Sequence, residues 1–155
     1  VKALDRVFLD DLGRRAAASP RRRQHFNLHA SHADPCQRLV NYLWGDSYIR
    51  PHRHSADPKP ETLIALQGAM GCIGFDDSGA VTWLVRFGAG ADCSAIVVEP
   101  DEWHTVVALS DTAILFEVKA GPFDPWAAKE SALWATEEGS ETASAYLLQL
   151  QALFD

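Results

Sequence analysis

The stretch RPHRHSADPKPETLIALQG, residues 50–68, decides how this chain is read. His52 and His54 lie one residue apart, and a β-strand turns alternate side chains to the same face. Both imidazoles therefore reach one point if residues 47–53 form a strand. Pro58, Lys59 and Pro60 mark a turn. Glu61 opens the next apolar run, where a hairpin would return it to the histidine pair, and Gly68 ends that run. His104 begins a later run just after Pro100 and Asp101. Three imidazoles and one carboxylate are a donor set for one divalent transition metal, whether Fe, Mn, Ni, Co or Zn. An exposed strand would also place two solvated histidines at this spacing, and spacing alone leaves both readings open.

Outward from this stretch, short β-rich runs alternate with turn residues. The runs cover 37–43, 47–53, 62–67, 70–75, 80–87, 94–99, 103–109 and 112–118. Eight short runs at this spacing predict a mainly β chain, a sandwich or a barrel. Leu4, Val7, Phe8 and Leu12 recur at helical spacing before Ser19-Pro20, which predicts a helix over 3–18. Residues 25–35 have no clear period and read as a loop or extended arm. Ala143, Tyr146, Leu147, Leu150 and Phe154 form an apolar stripe on a C-terminal helix. Three units follow. Residues 1–24 are a helix and basic turn, 25–125 the arm and β-barrel, and 126–155 a helical tail packed on the barrel or on a partner in a homodimer.

The chain has 155 residues, 47% hydrophobic and 23% charged, a composition that suits one globular domain. No apolar run approaches the roughly 20 residues of a membrane-spanning helix. The first residues, VKALDRVFLDDLGRR, lack the apolar centre of a secretory signal. Cys36, Cys72 and Cys93 are scattered without CxxC spacing, which predicts a reducing, cytoplasmic setting. The net charge is −7, unevenly spread. Residues 1–54 carry ten Lys and Arg against five Asp and Glu, and residues 55–155 carry four against sixteen. An acidic whole opposes phosphate binding, so no nucleic acid and no membrane is expected as a partner. The asymmetry instead predicts attraction between the two parts of the chain.

The spacing Gly45-(six residues)-His52-Arg53-His54-(six)-Glu61-(six)-Gly68 resembles the first cupin motif. Pro100-Asp101-Glu102-Trp103-His104 resembles the second, with Asp101 where that motif has glycine and Ala108 where asparagine is frequent. The chain as a whole resembles the WbuC family of cupin fold metalloproteins. The resemblance runs through NLH at 27–29, DPCQRLVN at 34–41, RPHRH at 50–54, ETLIALQG at 61–68, FDDSG at 75–79, WHTVVAL at 103–109 and FEVKAGPFDP at 116–125. It implies a double-stranded β-helix, or jelly-roll, barrel with short terminal helices. It also implies a metal inside, ligated by His52, His54, Glu61 and His104.

If His52 and His54 face the barrel interior, the same alternation turns Tyr48 and Arg50 inward. Arg50 would then anchor an anionic small molecule or pair with an interior carboxylate, and Tyr48 would form wall. Asn27 and His29, in the arm, would close the cavity mouth, and Gln37 and Arg38 share that signature as substrate-binding candidates. Glu117 and Lys119 alternate onto one face and would pair with each other. No GxSxG, P-loop or GxGxxG occurs, which removes support for hydrolase, kinase and dinucleotide chemistry. What remains is a metalloprotein acting on a small polar or anionic metabolite such as a sugar derivative, by isomerase, epimerase or dioxygenase chemistry. The alternatives are a non-catalytic binding or sensor module and a metal-braced structural barrel. No catalytic residue is assigned.

Overall fold

The computed structural model describes residues 1–126 and 129–155. Helix α1 spans Arg6–Ala18 and starts where the Asp5 carboxylate accepts the Phe8 N–H at 2.9 Å. Nine strands follow: β1 Arg23–Asn27, β2 Cys36–Trp44, β3 His52–Arg53, β4 Glu61–Gln67, β5 Ala69–Phe75, β6 Val81–Gly88, β7 Ala95–Val98, β8 Trp103–Ala108 and β9 Thr112–Ala120. The tail adds β10 Glu130–Ser131 and helix α2 Ala143–Ala152. Among the described residues no helix is long and apolar enough to cross a membrane.

The strands form two five-stranded antiparallel sheets, ordered β1-β2-β9-β4-β7 and β10-β3-β8-β5-β6. This is the jelly-roll sandwich that the strand spacing and the cupin motifs predict. One apolar cluster lies between the sheets, around Leu43, Leu63, Met70, Cys72, Phe87 and Val106. A second fills the gap between the β8 and β5 outer faces and the tail, with Ile73, Phe75, Trp103, Leu147 and Leu150. A third, of Leu12, Val40 and Ile114, lies under α1. Strand β5 is buried at every position because both its faces are covered, which is why it reads as an unbroken apolar run.

Two local expectations are refined. Of the loop and the extended arm expected over 25–35, His25, Phe26 and Asn27 take the extended form, paired as β1 antiparallel with Asn41, Val40 and Leu39. The strand gave no apolar alternation because its outward Phe26 packs on Phe8 while His25 opens into a cavity. The run 47–53 shortens to His52 and Arg53. Pro51 has no N–H for a ladder, and the Ile49 carbonyl accepts the Thr105 hydroxyl at 2.6 Å instead of a strand partner.

The uneven charge joins the chain's two ends. Glu138, in the acidic tail, accepts from Arg21 at 3.0 Å and from buried Arg23 at 2.8 Å. Arg23 also donates to the Tyr48 carbonyl at 2.7 Å. Arg22, left-handed at φ 54°, lies on Asp46. The basic turn is thus consumed by internal pairing.

Candidate metal centre

Strand β3 presents His52, residue 54 follows it, β4 begins with Glu61, and β8 carries His104. His52 and His104 are register partners, so their rings meet at 4.6 Å between centroids. His54 Nε2 lies 3.2 Å from Glu61 Oε1, and His104 Nε2 lies 3.3 Å from Glu61 Oε2. One ligating atom from each of the four residues falls within 4.8 Å of all the others.

The second ring nitrogens orient two of the imidazoles. His52 Nδ1–H donates to the Arg50 carbonyl at 3.0 Å, and His104 Nδ1–H donates to the Glu102 carbonyl at 2.9 Å. Each bond commits the ring proton to Nδ1 and leaves the Nε2 lone pair for the site. Burial, reinforced by His104 and Lys129, holds His52 well below the usual imidazole range and so keeps it neutral. Burial works against ionising Glu61, but His104, His54 and Lys119 outweigh it and hold the carboxyl well below its usual range. Imidazole nitrogens and an ionised carboxylate converging on one point fit a divalent cation.

Beside these residues opens a cavity of about 510 Å³ between the sheets. Its wall is partly apolar, with Leu39, Ile49, Leu63, Val106 and Leu115, and partly polar, with His25, Asn41, Glu117, Lys119 and Lys129. Lys119 is the register partner of Glu61 and donates to its Oε1 at 2.8 Å and to Glu117 Oε1 at 3.1 Å. The two carboxylates more than offset burial and raise the Lys119 ammonium, while burial and Glu61 raise the Glu117 carboxyl against the opposing pull of Lys119. Sequence reading placed Lys119 and Glu117 only as each other's partners. Their alternation with Phe116 and Val118 is also what a solvent-facing strand shows, and only closure of the sheet turns it inward.

The other candidate residues stand elsewhere. Tyr48 and Arg50 do not share the inward face of His52 and His54, because residues 47–51 are not strand and alternation does not apply. Tyr48 is buried in the tail cluster with its hydroxyl donating to the Thr136 carbonyl at 2.7 Å. Arg50 Nε donates to the Ala132 carbonyl at 3.0 Å and its guanidinium lies 3.6 Å from Glu137. Ile49 takes the inward place. His29 is buried rather than at a cavity mouth, its Nδ1 accepting the Arg38 N–H at 3.0 Å. Gln37 is buried and its amide donates to the carbonyls of Ser31, His32 and Asp34. Arg38 lies 3.7 Å from Asp34, and Asn27 is exposed at the end of β1. None of these six lines the cavity.

Asp101, where the motif has glycine, adopts φ 64°. Aspartate tolerates this left-handed conformation better than most residues, so the turn into His104 is kept. Its carboxylate lies 3.6 Å from Arg53 Nε, on the outer side of the sheet. Ala108 sits fully buried in the inner core, at the position where the motif often has asparagine.

A family model described as a domain of unknown function (DUF6016) matches residues 4–87. No curated protein sequence matches the chain. Among solved structures, protein SO0799 from Shewanella oneidensis superimposes with a TM-score of 0.58 at 12% identity, covering 83% of this chain and 82% of that one. The Schizosaccharomyces pombe Cnp3 cupin domain gives 0.51 at 9% identity, covering 64% and 61%. The Lactobacillus farciminis oxalate decarboxylase formate complex gives 0.50 at 14% identity, covering 64% of this chain and 28% of that one. The chain thus spans only about a quarter of the decarboxylase. At these identities the likeness is one of fold, and the fold is cupin-like.

Proposed function

The chain belongs to the DUF6016 family, and from that premise we propose that it is a cupin metalloprotein whose interior centre acts on a small polar or anionic metabolite. The observation that carries this reading is the convergence of His52, His54, Glu61 and His104 within 4.8 Å at the wall of a cavity of about 510 Å³. A divalent ion held there would act as a Lewis acid toward a ligand oxygen. The chain's own residues do the rest. His52 and His104 keep Nε2 free through their carbonyl bonds, Lys119 holds Glu61, and the apolar wall limits water around the ligand. In this reading the chemistry is of the isomerase or oxygenase type. The resemblance to WbuC proteins supports the barrel and its four ligands, and three free cysteines suit a reducing cytoplasm.

A structural brace needs no adjoining space, so the cavity favours a ligand-handling centre over a metal that only ties strands together. The test is elemental analysis of protein purified without chelator or polyhistidine tag, beside the His52→Ala/His54→Ala double variant. About one metal per wild-type chain, lost in a variant whose circular dichroism is unchanged, is expected. Equal metal content in the two folded proteins would remove the site.

A further inference from the structure

The cavity beside the metal ligands opens at one side of the sandwich. Strand β1 is the edge of one sheet and β10 the edge of the other. At the first edge Arg21, Arg23 and His25 line the cavity, and at the second Lys129, the residue before β10. Arg21 and Lys129 are exposed, so this end of the cavity meets solvent. The Lys129 ammonium has no hydrogen-bond or ion-pair partner among the described residues. Arg21 gives Glu138 only its Nε–H and keeps both terminal nitrogens, while Arg23 is spent on Glu138 and the Tyr48 carbonyl. Glu138 is one carboxylate for two guanidiniums. With Lys129, three cations stand against it and two positive charges remain at the mouth. Loss of water at the cavity wall, with Arg23 and Arg21 near, lowers the Lys129 ammonium against the pull of Glu138 and Glu117, as befits a cation short of counter-charge. Deeper in, Lys119 faces both Glu61 and Glu117, so that end carries a negative balance until a divalent ion reverses it. The net charge of −7 does not cancel the mouth, because exposed charges beyond about 10 Å are screened.

We propose that this mouth holds the phosphate group of a small phosphorylated metabolite, between the Lys129 ammonium and the terminal nitrogens of Arg21, with the rest of the molecule extending toward the metal ligands. A phosphate monoester carries close to two negative charges at neutral pH, which matches the two uncompensated positive ones. Its three terminal oxygens take donors from Lys129, Arg21 and the ring N–H of His25, whereas a carboxylate brings two oxygens and one charge. The inner end cannot take the same group, since two carboxylates there face a single ammonium. The inference rests on the metal-centre reading for the far end of the ligand alone, because no metal ligand belongs to the mouth.

The test is calorimetry at pH 7.5 with glycerol 3-phosphate, inorganic phosphate and glycerate, on cobalt(II)-loaded and on chelator-treated protein. Both phosphates are expected to bind at least tenfold tighter than glycerate in each form. Lys129→Met should weaken both phosphates tenfold or more and Arg21→Gln about fivefold, with cobalt content and circular dichroism unchanged. Glycerol 3-phosphate binding tighter than inorganic phosphate makes the ligand an ester, and the reverse order makes it free phosphate and overturns the metabolite. Glycerate as tight as the phosphates, or phosphate binding indifferent to both substitutions, overturns the site. Phosphate that binds only with cobalt present and ignores Lys129→Met lies on the metal and overturns it as well. If cobalt does not load, the metal reading fails by itself, and the chelator-treated protein decides the mouth by the same ratios.

Discussion

His52 and His104, fifty-two residues apart in the chain, stand directly opposite each other across the β3–β8 ladder with ring centroids 4.6 Å apart. Each ring is fixed by the same device, an Nδ1–H bond to the carbonyl two residues before it. Among the described residues the pairing is the sole register contact between β3 and β8, so the backbone joins the two strands where the imidazoles must meet.

Burial of neutral His52 makes stability depend on pH. Its folded value lies below the ordinary 6.5, so the unfolded chain takes up the proton first. The stabilisation is fully present above about pH 6.5 and is lost as pH falls toward the folded value. Burial, Arg21 and Arg23 lower His25 in the same direction, and Glu61, also held low, adds a second loss below about 4.5. Melting of the metal-free protein in chelator should be flat from pH 8 to 7 and decline below 6.5. The slope is at most about 1.4 kcal/mol per pH unit for each group. His52→Asn should flatten the upper part of the decline without removing the lower limb. A wild-type curve level between pH 7 and 5 would contradict this.

Arg53, between the two histidines, points to the outer side of the sheet and gathers four elements. It donates to Glu130 at 2.9 Å, lies 3.4 Å from Asp77 and 3.6 Å from Asp101, and stacks 4.5 Å over Trp103, the residue before His104. Trp103 Nε1–H donates to the same Asp77 at 2.9 Å. A strand of two residues has little ladder of its own, so this clamp fixes the spacing of the ligands. Arg53→Met is expected to lower metal affinity about tenfold, as removal of groups that orient metal ligands does. Competition with a chromophoric chelator measures it, and affinity within twofold of wild type would show that the ladder suffices.

Gln37 tests the reassignment of a presumed substrate contact to a structural one. Its amide donates to three loop carbonyls, and Gln37→Leu would take this donor from the Asp34 carbonyl, while those of Ser31 and His32 keep the N–H groups of Asp34 and Phe123. Unfolding free energy in urea should drop by about 1–3 kcal/mol. Metal and ligand affinities should stay within twofold, and a selective loss of ligand binding would restore the substrate role.

Gly68 closes the first motif at φ +77°, and a Cβ there would run into the Thr112 backbone carbonyl. Alanine would meet both the left-handed backbone and the clash. Gly68→Ala should cost about 1–3 kcal/mol by chemical denaturation. An unchanged midpoint would mean that the β4–β5 turn moves freely.

Short-range pattern carried most of the architecture. The apolar runs from 62 to 118 match β4 to β9 closely because each strand is one stretch of alternating or wholly buried residues between turns. The histidine pair was legible because its spacing is two and β3 is extended there. The pattern failed at residues 47–51, where Thr105 and the tail take the hydrogen bonds that a neighbouring strand would have taken, so Tyr48 and Arg50 turn outward.

The sequence by itself determined a mainly β chain, the terminal helices and the His52/His54 pair, because each follows from spacing along one strand or helix, while Glu61 and His104 entered the ligand set through the cupin resemblance. The tertiary structure alone decided what surrounds that set. Lys119 reaches Glu61 from a position fifty-eight residues away because β9 lies beside β4, while Gln37, in register with that same Lys119, spends its amide on a loop. Such contacts depend on which strands become neighbours and on which face is enclosed, and neither is written in the spacing of any single segment.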